Sequence, residues 1–65
     1  MQTLTDTQNY RLLAAKLRSS ANAVEVARAE QAAERIYNAG LLTARQYGRL
    51  CAVAFSKLAI LEMAP

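Results

Sequence analysis

The stretch from residue 37 to residue 47 limits the fold of this chain more than any other part of its sequence. Gly40 follows a long stretch without glycine or proline, and a glycine just past a helix end readily takes the left-handed backbone conformation found there. Thr43 can cap a following helix with its hydroxyl, and Gln46 can return a bond to the Thr43 N–H. A helix end and a helix start this close together predict two antiparallel helices joined by a turn at residues 40–43.

The composition predicts a single all-α domain. The chain has 65 residues, of which 54% are hydrophobic, and it has no tryptophan. Abundant alanine and leucine with few aromatic side chains favour helices over strands, and the apolar content is too high for a disordered chain. A chain of this length builds only a marginal core by itself, so association with other chains is a common way to complete it.

The first helix is predicted to run from Asp6 to Ala39, with Thr5 and Gln8 as its capping box. The apolar residues of its first half form one stripe, made of Tyr10, Leu13, Ala14, Leu17, Ala21 and Val24. Those of its second half lie on another side and are Val26, Ala29, Ala33 and Ile36. Either one continuous helix buries two different faces, or the chain breaks near residues 19–22 and Asn22 with Glu25 caps a new helix. We expect the continuous helix, because serine and asparagine are tolerated on a solvated helix face.

The last helix is predicted to run from residue 44 to about residue 63. A smaller ridge on this helix is formed by Val53 and Ile60. The expected architecture is an antiparallel helical hairpin with a long first helix, and a three-helix bundle is the alternative. The returning helix is too short to cover the long one, so we expect a homodimer. The main apolar face of the last helix is expected to pack on the apolar residues in the second half of the first helix. This face consists of Tyr47, Leu50, Cys51, Ala54, Phe55, Leu58 and Leu61.

The sequence offers little for catalysis or metal binding. It contains no histidine, so a general base at neutral pH would have to be another side chain with a strongly shifted pKa. Glu30 and Glu34 lie four residues apart without a further ligand at suitable spacing, which indicates a solvated helix face. Cys51, the single cysteine, lies within an apolar stripe, which is typical of a core residue. We therefore expect no enzyme activity, no metal, no cofactor and no small-molecule substrate.

The formal net charge is +3, from eight basic and five acidic residues. This charge allows nucleic-acid binding without requiring it, because the basic residues are sparse and are not interleaved with aromatic ones. Arg45 opposes the helix dipole in the first turn of the last helix, so we expect it to pair with Glu34. If the chain binds DNA or RNA, the contacts are expected from Arg11, Lys16, Arg18, Arg45 and Arg49.

No secretory signal or membrane span is predicted. Residues 1–6 carry neither a basic nor an apolar segment, and the longest strongly apolar run, at residues 50–55, is far shorter than the roughly 20 residues that a bilayer requires. Cys51 cannot form an intrachain disulfide, which fits a reducing compartment. These features favour a cytoplasmic protein without a membrane partner.

The segment Ala39-Gly40-Leu41-Leu42-Thr43, followed by Tyr47, resembles the joint of short C-terminal helical-hairpin domains of the SHOCT type. Gln46 stands where those domains usually carry an acidic residue, and Arg45 and Arg49 replace acidic neighbours. The resemblance implies a helical hairpin suited to protein contacts. In size and architecture the chain is also similar to the small helical proteins with which phages and other mobile elements inhibit host factors, anti-activators among them.

These features predict a non-enzymatic protein-interaction module, a small helical regulator or inhibitor that binds a partner protein such as a transcription regulator. A small basic nucleic-acid-binding regulator is the alternative. Basic residues at the rim would steer an acidic partner toward the binding surface. The side chains expected at protein interfaces are Tyr10, Leu13, Leu17, Val24, Tyr37, Val53 and Ile60.

Overall fold

The computed structural model of the chain describes residues 6–63, and within them it forms three α-helices and no strand. α1 spans Asp6–Arg18, α2 spans Ala23–Asn38 and α3 spans Ala44–Met63. The all-α class is confirmed. The expected long first helix is wrong, because the chain breaks between α1 and α2, and the structure matches the three-helix alternative with its break at residues 19–22.

Side chains at the break between α1 and α2 form hydrogen bonds with backbone groups on both sides of the break. At the end of α1, the Ser20 hydroxyl donates to the Lys16 carbonyl at 2.9 Å. At the start of α2, Asn22 has extended backbone angles and its Oδ1 accepts from the Glu25 N–H at 3.0 Å. The Glu25 carboxylate in turn accepts from the Ala21 N–H at 2.9 Å. Helix ends leave several backbone groups without partners, so these bonds offset much of what the break costs.

The turn between α2 and α3 has the predicted capping bonds. Gly40 has a φ of 80°, and its N–H donates to the Tyr37 carbonyl at 3.0 Å. The next N–H donates to the Ile36 carbonyl, also at 3.0 Å, which completes a Schellman motif. Thr43 and Gln46 exchange bonds of 3.0 and 3.1 Å as a capping box. This part of the prediction is confirmed, whereas the proposed cap of α1 at Thr5 lies outside the described residues.

Two long-range side-chain bonds show how α1 lies against the other helices. Asn9 Nδ2 donates to the Leu41 carbonyl in the α2–α3 turn at 3.0 Å. At the other end of α1, Lys57 Nζ donates to the Arg18 carbonyl at 2.9 Å. α1 and α3 therefore run parallel, and α2 runs antiparallel to both. Each helix packs on both of the others.

The core is small and many of its side chains are short. The largest fully buried side chains are those of Leu17, Leu50 and Val26. Two polar residues of the described chain, Asn9 and Ser20, are also buried, and each makes the side-chain bond given above. The buried hydrophobic residues are Leu13, Ala14, Leu17, Val26, Ala29, Ala33, Leu42, Leu50 and Ala54.

The structure corrects two expectations about burial. Leu13 and Leu17 were expected to face a partner because a long first helix would leave them uncovered, but the break lets α1 fold back and buries both. Phe55 was expected in the core and is instead 77% exposed. It lies at the edge of the predicted apolar face of α3, and the alanine-rich neighbours bury only the centre of that face, at Leu50 and Ala54.

Candidate protein-binding surfaces on the third helix

An open groove runs between the end of α1 and the middle of α3. We call it the α1–α3 groove; its volume is about 380 Å³. Val53 and Ile60, the two residues of the predicted ridge, both line it, and Ile60 is 62% exposed. The structure thus brings together two of the predicted interface residues. The full lining is Arg18, Ala52, Val53, Ser56, Lys57 and Ile60.

The rim of the α1–α3 groove is basic. Arg18 and Lys57 line the groove, and no acidic residue of the part of the chain that the structure describes does so. Arg11 lies seven residues before Arg18 and therefore on the same side of α1, and Arg49 lies four residues before Val53 on α3. Positive charge around an apolar floor attracts a partner that combines acidic and apolar groups.

A second exposed surface lies on the side of α3 that faces away from α1 and α2, with Phe55 near its middle. Residues spaced alternately by three and four positions share one side of a helix. Following that spacing in both directions from Phe55 defines a line of residues that we call the outer seam. All of them are exposed except Ala59, which is half-buried. The outer seam consists of Arg45, Gly48, Ala52, Phe55, Ala59 and Glu62.

The expected ion pair between Glu34 and Arg45 is absent from the described residues. Glu34 lies close enough to Tyr47 to act on its phenol electrostatically. Arg45 lies two residues before Tyr47, which places it about 200° around the helix axis, on the side turned away from α2. The first turn of α3 therefore carries a cation that opposes the helix dipole and has no ion-pair partner among residues 6–63.

Tyr37 and Tyr47 stack ring on ring beside the α2–α3 turn. Their ring centroids are 4.6 Å apart and their planes differ by 2°. Both residues are half-buried. One face of the ring of Tyr37, a predicted interface residue, is therefore covered by Tyr47. Burial, and after it the nearby Cys51, Glu34 and Glu30, raise the pKa of the Tyr47 phenol above its ordinary value. Tyr47 is therefore a neutral side chain at physiological pH.

The chemically reactive groups within residues 6–63 do not converge on one place. No group of three or more His, Cys, Asp or Glu side chains in that range could hold a metal ion. Cys51 is half-buried between α2 and α3, beside Glu30 and Tyr47. The α1–α3 groove offers apolar contact and positive charge, and the outer seam offers apolar contact with one charge of each sign, Arg45 and Glu62.

The remaining predicted residues lie apart from these surfaces. Tyr10 is half-buried and packs against the core, and Val24 is 59% exposed at the start of α2. Among the basic residues predicted for nucleic-acid contact, Lys16 lies on the other side of α1, in a depression it shares with Ser20 and Arg28. The other four lie on the sides of α1 and α3 around the groove or at the outer seam.

Sequence reasoning missed Asn9 and the exposure of Phe55. Asn9 precedes the apolar stripe of α1 by one position, and nothing local indicates that it would reach the Leu41 carbonyl, which is 32 residues away. For Phe55 the sequence gives no such signal, because its place on the predicted apolar face of α3 is typical of a core residue.

Comparison of the chain with protein-family models, with curated proteins and with solved structures gives no match. Among the described helices, none combines the length and the apolar character needed to cross a membrane.

Proposed function

We propose that this chain is a non-enzymatic protein-interaction module that binds an acidic, amphipathic helix of a partner protein in the α1–α3 groove. The observation that carries the proposal is an apolar floor, with Ile60 exposed and Val53 half-buried, whose charged lining residues Arg18 and Lys57 are both basic. A partner helix would lay its apolar face on Val53 and Ile60 while its carboxylates meet Arg18 and the neighbouring cations. In this role the chain acts in the cytoplasm as a small regulator or inhibitor that occupies a surface of a partner such as a transcription regulator.

A fluorescently labelled acidic amphipathic peptide, made of leucine and glutamate at helical spacing, tests the groove directly. We expect fluorescence anisotropy to rise on addition of the protein, and we expect Ile60→Glu to weaken binding at least tenfold because it adds a charge to the apolar floor. Val24→Glu is the matched control, since Val24 is 59% exposed against 62% for Ile60 and lies outside the groove. Equal loss of affinity in both variants contradicts the proposal.

The natural partner is sought with the same pair of variants. Proteins that the wild-type chain and Val24→Glu capture from a lysate, and that Ile60→Glu does not, are candidate partners. Arg18→Glu should also abolish their capture, because it reverses a charge at the rim of the groove. Partners that resist Ile60→Glu and Arg18→Glu do not use the groove.

A second function, nucleic-acid binding, is favoured by the placement of Arg11, Arg18, Arg45 and Arg49 on neighbouring sides of α1 and α3. Four phosphate contacts predict a slope of about −3.6 when the logarithm of the duplex-DNA affinity is plotted against the logarithm of salt concentration. Lys16→Glu is the control, since Lys16 lies on the other side of α1. Absence of binding at low salt removes this function.

A further inference from the structure

The most exposed large hydrophobic side chains of the described residues all lie on α3. Met63 is 83% exposed, Phe55 77% and Ile60 62%, and Phe55 is the largest of them. Ile60 belongs to the α1–α3 groove, whereas Phe55 lies near the middle of the outer seam. Contact of Phe55 with another helix would remove this aromatic surface from water.

Phe55 is flanked along the outer seam by small residues. Small residues on a helix surface let a second helix approach closely. Gly48, Ala52 and Ala59 leave room on both sides of Phe55 for a large side chain from a partner helix. The seam therefore combines one large side chain with small residues on both sides of it.

The charges at the two ends of the outer seam point to the same arrangement. Arg45 lies in the first turn of α3 and Glu62 lies near its end, although a helix favours acidic residues at its start and basic residues at its end. Neither residue has an ion-pair partner within the described residues. Both charges would be compensated by a second helix that runs in the opposite direction and carries the same two residues.

We propose that the outer seam binds a second copy of this chain, with the two α3 helices antiparallel. In this alignment Arg45 of each copy faces Glu62 of the other, Gly48 faces Ala59, and Ala52 faces Phe55. Each Phe55 then packs over Ala52 of the other copy near the two-fold axis. The contact is isologous, because the same line of residues serves both copies. The self-complementary order of the charges and of the large and small side chains favours a second copy over an unrelated partner.

Sedimentation velocity over a wide range of protein concentrations tests the association. We expect a species of twice the chain mass that dissociates on dilution, and we expect Phe55→Glu to weaken it at least tenfold. Phe55 is exposed, so the variant should retain the helical circular dichroism of the wild type. Leu12→Glu is the matched control, because Leu12 is 59% exposed and lies on α1. A chain that stays monomeric at millimolar concentration, or a dimer that survives Phe55→Glu, overturns the proposal.

Charge reversal tests the antiparallel alignment. Arg45→Glu and Glu62→Arg should each weaken the dimer severalfold, because each places like charges opposite one another at both ends of the seam. The double variant should restore the wild-type affinity, and so should mixing the two single variants. In a parallel pair, Arg45 would face Arg45 and Glu62 would face Glu62, so each single variant would only replace one like-charge contact by another. Unchanged affinity in the single variants therefore overturns the antiparallel alignment. Ala52 belongs to both surfaces, but none of the altered residues Arg45, Phe55 and Glu62 lines the groove, so these variants leave the groove lining unchanged.

Discussion

At the scale of single residues, the two glycines of this chain have opposite effects on its stability. Gly40 ends α2 with a φ of 80°, a backbone region that side chains with a Cβ rarely adopt. Gly48 lies inside α3, where glycine is a poorer helix former than alanine. A Cβ added at either position meets no atom within 4 Å, so only the backbone decides the outcome.

Replacing the two glycines by alanine should therefore change stability in opposite directions. We expect Gly40→Ala to lower the free energy of unfolding by about 1 kcal/mol, because it forces a left-handed conformation on alanine. We expect Gly48→Ala to raise it by about 0.5 to 1 kcal/mol, because alanine favours the helix. Urea titration at a protein concentration low enough to avoid association measures both. Shifts of the same sign would falsify this account of the α2–α3 turn.

The raised pKa of Tyr47 predicts how stability depends on pH. Since the folded pKa lies above the unfolded value of about 10, the folded chain keeps the phenol proton more tightly. The resulting stabilisation is complete below pH 10 and is lost as pH rises through the folded pKa. Thermal melts between pH 9 and 12 should show a shallower decline for Tyr47→Phe than for the wild type. Tyr10→Phe, which alters a half-buried tyrosine elsewhere, is the control, and an equal decline in the wild type and Tyr47→Phe contradicts the prediction.

At the scale of the helices, the bonds of Asn22 explain why α1 and α2 are separate. Its side chain caps α2 by accepting from the Glu25 N–H, and the Glu25 carboxylate accepts from the Ala21 N–H just before the helix. The same asparagine within a continuous helix would be an unfavourable residue, since asparagine is a weaker helix former than alanine. The sign of a single substitution therefore distinguishes the two architectures.

We expect Asn22→Ala to lower the free energy of unfolding by about 1 kcal/mol through the loss of the cap. Asn38→Ala is the matched control, because Asn38 is an exposed asparagine at the end of α2. Chemical denaturation of both variants gives the comparison. If Asn22→Ala stabilises the chain, α1 and α2 form one helix in solution.

The turns of this fold could be predicted from the sequence to different degrees. The α2–α3 turn was predictable because Gly40, Thr43 and Gln46 each have a specific local role, and those roles agree. The α1–α2 break was only an alternative, because a new helix capped at Asn22 and a continuous helix that contains Asn22 have similar local free energies. Tertiary packing decides that competition, as it buries Leu13 and Leu17 only if the chain folds back. The exposure of Phe55 likewise depends on how much of α3 the two neighbouring helices cover.

At the scale of the whole molecule, folding and association depend on different side chains. The core rests on a few large residues, and a domain of 65 residues has a net stability of only about 3 to 10 kcal/mol. Phe55 adds nothing to that core, because most of its surface faces solvent. A change in the core should therefore destabilise the chain strongly, while a change at the outer seam should leave its stability nearly unchanged.

Leu17→Ala and Phe55→Ala test this separation. Leu17 is fully buried, so its truncation should cost about 3 kcal/mol and lower the melting temperature by about 15 °C. Phe55→Ala should change the free energy of unfolding of the monomer by less than about 0.5 kcal/mol. Thermal melts at low protein concentration give both values. A large loss of stability in Phe55→Ala would place that ring in the core, contrary to the structure.

The two bonds that hold α1 have a consequence for the synthesis of this chain. Asn9 needs the carbonyl of Leu41, and the Arg18 carbonyl receives its bond from Lys57. A ribosome that has released only the first two helices therefore exposes an incomplete structure, with Leu17 lacking the cover of α3. The nascent chain reaches its native arrangement only after Lys57 has left the exit tunnel.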